Sequence, residues 1–183
     1  AKDPKTGQVL AMVGSRDYFD VENEGNFNVA TQGLRQPGSA LKPFAYLTAF
    51  KKGYTPDTVL FDVPTEFASG NTYCPSIVNF TNTNKKCFHP KNFSGTFKGP
   101  IPLREGLAQS VNITAVKVLY LAGLTDTLQT LKDFGVNTLT DPARYGLSLV
   151  LGGGEVRLTE LVGAYGVLAQ DGMRHEEAPV LEV

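Results

Sequence analysis

The sequence predicts an α+β domain, and three observations favour this class. Apolar residues recur at helical spacing through much of the 183-residue chain, while short apolar segments near both ends favour strands. The composition, 42% hydrophobic and 19% charged, fits one globular unit with a substantial core. The sequence contains no repeat and no low-complexity tract. We therefore expect a mostly helical chain with a strand near each end.

One strand and one helix are predicted in the N-terminal half. The strand covers 9–13, an apolar run that follows a turn at 4–7. A polar loop covers 16–36. The helix covers 40–52, where apolar residues recur every three or four positions. Residues 54–100 are rich in Pro, Gly, Asn and Thr, and so long a stretch without periodicity is typical of a functional loop or an insertion.

Three helices are predicted in the next part of the chain. Pro102 opens a short helix over 103–108, since proline suits the first helical position. A second helix covers 113–121. Thr125 is the expected N-cap of a third helix, which ends at Gly135.

Two last elements are predicted after the glycine triplet at 152–154. A helix covers 158–168 and a second strand covers 179–183. The triplet is expected to lead into the helix, because no Lys-Ser/Thr follows it as a phosphate-binding loop requires. Three aromatic residues at helical spacing are predicted to lie in the core: Tyr120, Phe134 and Tyr165.

Charge and hydropathy exclude some classes of partner. The net charge is −1, from 17 basic and 18 acidic residues, and no basic stripe carries interleaved aromatics, so nucleic acid is not an expected partner. No apolar run approaches the roughly 18 residues that cross a bilayer. The chain also opens without a signal peptide. Its opening and its end are typical of fragment boundaries, and we expect any membrane anchor to lie outside it.

The two cysteines, Cys74 and Cys87, allow three interpretations. A disulfide would close a loop of about 14 residues, contribute roughly 3 kcal/mol and imply an oxidising compartment. A metal site would add His89 but would stop at three ligands without a CxxC pair. Two unpaired thiols are the third possibility. We favour the disulfide, and we expect His89 to lie on the surface of a loop.

Ser39 and Lys42 form the first candidate site. Residues at i and i+3 share a helical face, so the lysine amine can reach the serine oxygen. Serine is a weak nucleophile that needs a base, and lysine serves as one only where its surroundings favour the neutral amine. A chain of this length shows about one such spacing by chance. The Pro37-Gly38 turn before it and the helical pattern after it favour an acyl-transfer site without a catalytic histidine.

Ser110 and Asn112 form the second candidate site, at the break between two predicted helices. A hydroxyl and an amide held there can relay a proton and bind an amide substrate. The alternative is a purely structural turn, since both residue types favour caps. An upstream SxxK makes the functional interpretation the stronger one.

SxxK followed by SxN resembles the motif order of penicillin-binding proteins and serine β-lactamases. The segments 3–14, 30–39 and 99–113 are similar to the transpeptidase domain of the class A, bifunctional penicillin-binding proteins. The resemblance covers nearly the whole chain and thins between 66 and 90. It implies a penicillin-binding/β-lactamase-like fold, with 1–183 as the helical portion and first strands of a transpeptidase domain.

The resemblance also implies a role for each site residue. Ser39 would be acylated by the D-Ala-D-Ala end of a peptidoglycan stem peptide, and its N–H would supply one oxyanion donor. Lys42 would be the general base. Ser110 would pass protons towards the leaving amine, while Asn112 would hold the substrate amide and orient Lys42. An amine of a second stem peptide would then take the acyl group.

Partners and location follow from the same resemblance. The expected partners are the stem peptides of glycan strands derived from lipid II, and β-lactams that acylate the same serine. No cofactor and no metal is expected. A glycosyltransferase domain would lie upstream. The protein would act at the extracytoplasmic face of the bacterial cytoplasmic membrane, in the periplasm.

One motif departs from the family pattern. A Lys-Thr/Ser-Gly strand should follow SxN, but the sequence has this tripeptide only at 5–7, where it fits the turn before the first strand. We therefore expect the KTG strand and its oxyanion N–H to be missing, and the 183 residues alone to be inactive. The alternatives are a D,D-carboxypeptidase or β-lactamase, in which water takes the acyl group, or a non-catalytic penicillin-binding sensor module.

Overall fold

The computed structural model describes residues 1–180, which divide into two compact units. The central unit comprises Leu41–Gly123. The terminal unit comprises Ala1–Ala40 together with the segment from Leu124 onward. The elements in chain order are β1 (Leu34–Arg35), α1 (Lys42–Lys51), β2 (Val59–Asp62), β3 (Gly99–Pro102), α2 (Leu103–Ala108), α3 (Asn112–Ala122), α4 (Leu124–Asp133), β4 (Val156–Arg157) and α5 (Leu158–Ala169).

The central unit is built on the packing of α1 against α3. Both helices are rich in apolar residues, and burial of each large side chain contributes roughly 1.5–3 kcal/mol. The fully buried side chains of the two helices include Phe44, Tyr46, Ile113, Val116 and Leu119. The antiparallel pair of β2 and β3 lies beside α3, with Val59 opposite Pro102 and Asp62 opposite Gly99.

Gly106 lets α2 approach its neighbours closely. A Cβ at this position would lie 2.8 Å from the Thr114 hydroxyl oxygen and 3.1 Å from the Tyr46 hydroxyl oxygen. Those two hydroxyls are themselves 3.4 Å apart in the core. Burial raises the pKa of Tyr46 to about 12, so its phenol stays a neutral donor. Gly106 therefore lets α2 pack closely against Tyr46 of α1 and Thr114 of α3.

The terminal unit packs α4 and α5 around a smaller core. Its strands β1 and β4 form a two-residue antiparallel ladder, in which Leu34 pairs with Arg157. The Thr159 N–H donates to the Ala30 carbonyl at 3.1 Å and extends this connection into α5. The buried apolar residues of the unit include Leu128, Leu131, Val136, Leu139, Leu149, Val150, Val156, Ala164 and Val167.

The predicted helices are confirmed, most of them to within two residues at each end. α2 has the predicted bounds, although Pro102 is its N-cap and not its first helical residue. The predicted N-cap role of Thr125 is wrong, because α4 already begins at Leu124. Gly123 follows α3 directly and has φ of +83°, a conformation that glycine adopts without steric cost.

The strand predicted at 9–13 is wrong. Residues 9–13 form no strand: they make an isolated bridge from Val9 to Lys2 and hydrogen bonds to the Ala1 and Ala178 carbonyls, and Leu10 and Val13 are exposed. A strand needs a continuous partner, which a local apolar pattern does not reveal. The predicted strand at 179–183 falls largely on 181–183, outside the described residues. The four strands that form within residues 1–180 were not predicted. β3, for example, contains two prolines, which argue against a strand.

The core predictions for aromatic residues are also partly wrong. Tyr120 is 71% exposed and Tyr165 is also exposed, while Phe134 is partly buried. Helical spacing fixes which residues share a face, but the face that meets the core depends on distant segments. No helix in the described part of the chain is both long and apolar enough to cross a bilayer.

The long loop between β2 and β3 is held by two internal connections. Cys74 and Cys87 form a disulfide, as the favoured interpretation predicted. The expectation that His89 lies free on the surface is wrong: its Nδ1 lies 2.7 Å from a carboxylate oxygen of Glu66, and both side chains are largely buried. The other Glu66 oxygen accepts the N–H groups of Ala68 and Phe88. These contacts order a segment that the sequence marks only as irregular.

Candidate active site

Lys42 is the first residue of α1 and is almost completely buried, with 1% of its surface exposed. Its Nζ contacts three oxygens from the turn between α2 and α3. It donates to the Ser110 carbonyl at 2.6 Å, to the Ser110 Oγ at 3.1 Å and to the Asn112 Oδ1 at 2.8 Å. Three of the four predicted site residues therefore lie together in the central unit.

Burial changes the protonation of Lys42. Desolvation disfavours the charged ammonium and lowers the pKa of Lys42 from 10.5 to about 8. The three oxygen acceptors oppose this effect, because they stabilise the charged form. With a pKa near 8, roughly a tenth of the side chains are neutral at pH 7. The site therefore meets the main condition for a lysine general base.

Ser110 adopts an unusual backbone conformation. Its φ is +53°, in the left-handed region that costs a non-glycine residue roughly 1–2 kcal/mol. The turn is closed by hydrogen bonds from the Ser110 N–H to the Leu107 carbonyl and from the Val111 N–H to the Gly106 carbonyl. In this conformation the Ser110 carbonyl and hydroxyl both contact Lys42. Such strain is typical of functional sites.

Asn112 is the first residue of α3, and its amide is held at both ends. The Oδ1 accepts from Lys42, while the Nδ2 donates to the Lys91 carbonyl at 2.8 Å. An acceptor at one end and a donor at the other fix the orientation of the amide. Its backbone N–H donates to the Asn92 Oδ1 at 3.0 Å. The sequence did not single out Lys91 or Asn92 for this site, because an Asn in a polar loop is typical of a turn.

Ser39 lies exposed in the terminal unit, within the 3₁₀ turn Gly38–Leu41 that continues into α1. Gly38 has φ of +57° and lies against Gly152, where a Cβ would be 2.8 Å from the Gly38 Cα. The Tyr165 hydroxyl donates to the Ala40 carbonyl at 3.0 Å. The roles of Gly152 and Tyr165 at this turn could not be predicted from the sequence, because both residues lie more than 100 positions later in the chain. The approach of Ser39 to Lys42 stays a prediction from their spacing.

The remaining candidate motifs have structural roles. The Lys-Thr-Gly tripeptide at 5–7 forms the predicted turn, in which the Gly7 N–H donates to the Asp3 carbonyl at 2.9 Å. The metal interpretation of Cys74, Cys87 and His89 fails because both sulfurs are consumed in the disulfide. Within residues 1–180, no group of three or more His, Cys, Asp and Glu side chains is placed to hold a metal ion.

Comparison with known proteins identifies the relatives of this chain. It matches the penicillin binding protein transpeptidase domain over residues 1–176. It is 38% identical over 172 residues to penicillin-binding protein 1A of Rickettsia bellii, covering 94% of this chain and 19% of that protein. It is 39% identical over 179 residues to penicillin-binding protein 2D of Bacillus subtilis, covering 96% of this chain and 23% of that protein.

Solved structures show the same fold. Penicillin-binding protein 1A from Haemophilus influenzae is 34% identical, with a TM-score of 0.66, and the match covers 85% of this chain and 20% of that one. PonA1 from Mycobacterium tuberculosis, in complex with penicillin V, is 21% identical, with a TM-score of 0.73 over 96% of this chain and 43% of that one. This chain spans about a fifth of the length of the relatives that it matches. The chain belongs to the penicillin-binding protein transpeptidase domain family.

Proposed function

We propose that this chain carries the nucleophile and general base of a peptidoglycan D,D-transpeptidase. The observation that carries the proposal is the buried Lys42 amine, which contacts Ser110 and Asn112 and lies three residues after Ser39. Burial lowers the pKa of Lys42 to about 8, which suits this lysine to act as a general base near neutral pH. The match to the penicillin binding protein transpeptidase domain over residues 1–176 supports the proposal.

The reaction would proceed in two acyl transfers. The neutral Lys42 amine takes the Ser39 hydroxyl proton as the oxygen attacks the carbonyl of the penultimate D-alanine. The tetrahedral intermediate collapses, the C–N bond breaks and Ser110 delivers the proton to the departing D-alanine amine. The amine of a second stem peptide then attacks the Ser39 ester. Its proton returns through Ser110 and Lys42, the serine is restored and a new amide bond forms the cross-link.

The oxyanion and the substrate amide need further donors. The N–H of Ser39 would supply one oxyanion donor, because its position in the turn before α1 leaves early N–H groups without helical partners. Asn112 would bind the substrate amide while it keeps Lys42 in place. The Asn112 amide already contacts Lys42 and Lys91, so a substrate would have to share it.

The nearest rival function is hydrolysis of the same acyl-enzyme. A D,D-carboxypeptidase or β-lactamase would contain the same four residues and differ in what reaches the ester. Purified full-length protein, incubated with stem peptides and examined by mass spectrometry, should yield cross-linked dimers. Peptides that only lose their terminal D-alanine would identify a carboxypeptidase, and rapid turnover of nitrocefin would identify a β-lactamase.

The wider setting is part of the proposal. The substrates would be stem peptides on lipid II-derived strands, and β-lactams would acylate Ser39, which agrees with the names of the relatives, penicillin-binding proteins 1A and 2D. The disulfide fits an oxidising compartment such as the periplasm. The site would act at the extracytoplasmic face of the membrane, held by an anchor outside this chain. A glycosyltransferase domain would precede it.

The 183 residues alone should react poorly with a fluorescent penicillin. The second oxyanion N–H that the family draws from a KTG strand after SxN is not supplied by 5–7, which form a turn. Loss of one oxyanion donor lowers acyl-transfer rates by about 10²–10³-fold. Labelling of the isolated chain and of the full-length protein would be compared on one gel. Equal labelling of the two would contradict this expectation.

The rate of penicillin acylation should rise with pH through about 8. The reactive form of Lys42 is the neutral amine, and burial lowers the pKa of this lysine to about 8. Below that pH the amine is protonated and the rate should fall about tenfold per pH unit, whereas above it the rate should level off. Stopped-flow acylation of the full-length protein between pH 6 and 10 measures this profile. If the rate keeps rising up to pH 10, the base has the pKa of an ordinary lysine and the prediction is wrong.

A further inference from the structure

Asp62, at the end of β2, is a carboxylate with no solvent exposure. Three hydrogen bonds reach its two oxygens. The Asn92 Nδ2 approaches them at 2.8 and 3.0 Å, and the Lys98 N–H donates to one of them at 2.9 Å. A buried carboxylate is costly unless it is well bonded, so this arrangement holds the Asn92 side chain firmly.

Lys117 balances the buried charge. This residue lies on α3, its Nζ donates to the Phe61 carbonyl at 2.7 Å, and its charge interacts favourably with Asp62. Burial lowers the pKa of Lys117, and the attraction of Asp62 opposes that effect. The end of β2 is thus connected to α3 by both packing and charge.

Asn92 carries this connection to the start of α3. It is 7% exposed, and its Oδ1 accepts the N–H groups of Asn112 at 3.0 Å and Ile113 at 3.3 Å. These are N–H groups at the beginning of a helix, which have no partner within the helix. The residue before the helix, Val111, provides no side-chain cap. An asparagine 20 positions earlier in the chain therefore does the work of an N-cap.

Asn112 is consequently held at three of its atoms by two adjacent loop residues and by Lys42. Asn92 accepts from its backbone N–H, the Lys91 carbonyl accepts from its Nδ2, and Lys42 donates to its Oδ1. We propose that Asn92, held by Asp62, is a positioning residue that sets the geometry of the Asn112–Lys42 pair for acyl transfer. This inference rests on the proposed function of Lys42.

The alternative is that Asn92 only stabilises the helix. A merely structural cap would change the unfolding temperature and leave the site chemistry of the folded protein unchanged. A positioning residue would also change the rate of acylation and the titration of Lys42, since both depend on where Asn112 lies. The two roles therefore separate by measurement on folded protein.

The test compares Asn92→Ala with Asn79→Ala in the full-length protein. Asn79 lies in the same loop, and its side chain caps only a local turn at Thr81. With a misplaced Asn112, the plateau rate of penicillin acylation should fall by about tenfold to a hundredfold in Asn92→Ala. The control should retain the wild-type rate. Asn92→Ala removes the oxygen that accepts the Asn112 N–H, so the Asn112 Oδ1 should bind the Lys42 ammonium less well. The pKa of Lys42, measured by NMR of the labelled lysine, should therefore fall.

A second variant, Asp62→Asn, tests the proposal even if Asn92→Ala does not fold. Asp62→Asn keeps the shape of the side chain but removes the charge that holds Asn92, and its acylation rate should fall in the same direction by a smaller factor. Two results would overturn the proposal. One is that the folded variants acylate at the wild-type rate with an unchanged Lys42 pKa. The other is that their unfolding temperature falls while the acylation rate and the Lys42 pKa stay the same.

The NMR measurement separates this inference from the proposed function. It needs no turnover, so it reports on Lys42 even if the wild-type protein fails to react with penicillin. In that case the proposed function is wrong, while a Lys42 pKa that shifts in Asn92→Ala still supports the positioning role. An unshifted Lys42 in a reactive wild-type background contradicts the positioning role alone.

Discussion

Replacement of Ser39 by alanine should abolish covalent labelling of the full-length protein by a fluorescent penicillin. In the proposed mechanism the acyl bond forms on the Ser39 Oγ, so removing this oxygen should lower the rate by at least about 10³-fold. The fold should survive, because Ser39 is exposed in its turn. Gel fluorescence and intact-protein mass spectrometry both measure the loss.

Ser148→Ala is the matched control for this variant. Ser148 is also an exposed serine in a 3₁₀ turn of the terminal unit, Leu147–Leu151, and its substitution should leave labelling unchanged. If Ser39→Ala labels as well as the wild type, the nucleophile is misassigned. If the wild-type protein itself stays unlabelled, the chain belongs to a non-catalytic module that keeps the scaffold.

Replacement of Lys42 by methionine should lower the rate of penicillin acylation by about 10²–10⁴-fold, the usual contribution of a general base. Methionine fits the buried space of an unbranched side chain, but it provides no amine to take the Ser39 proton. It also leaves the oxygens of Ser110 and Asn112 without their donor, which should destabilise the protein by about 1–3 kcal/mol. Stopped-flow acylation and thermal unfolding measure the two effects separately.

Lys51→Met controls for the same substitution in the same helix. Lys51 is exposed at the end of α1, so neither the acylation rate nor the stability should change appreciably. A Lys42→Met protein that acylates at the wild-type rate and still depends on pH near 8 would show that another group is the base. Ser110 would then be the next residue to test.

The two motifs were found from the sequence because their chemistry is local. Ser39 and Lys42 are three residues apart, and Ser110 and Asn112 are two apart at the break between helices. Such short spacings between reactive residue types can be recognised in the sequence without a structure. The helices could be predicted for the same reason, since their hydrogen bonds and their apolar periodicity are local.

The partners of Asn112 could not be found in this way. Asp62 and Asn92 are 30 positions apart in the chain, and each is an ordinary polar residue in its own surroundings. Nothing local distinguishes Asn92 from Asn79, which caps a turn of the same loop. Their roles depend on a loop returning to the start of α3, and that return is a property of the whole central unit.

The strands show the same division. The apolar run at 9–13 has the composition of a strand but no continuous partner, whereas the proline-containing β3 becomes a strand because β2 lies beside it. Strand formation depends on hydrogen bonds to another segment, and a local pattern contains no information about that segment.

For this protein, residue order alone was enough to propose the nucleophile, the base and the second motif and to predict the helices, since each depends on neighbours within a few positions. The folded chain was needed for the burial of Lys42, and therefore for its lowered pKa, and for the Asp62–Asn92 connection to Asn112. Desolvation and long-range hydrogen bonds depend on which distant segments surround a group. Lys42 has the environment of a base only once α2, α3 and the long loop have packed around it.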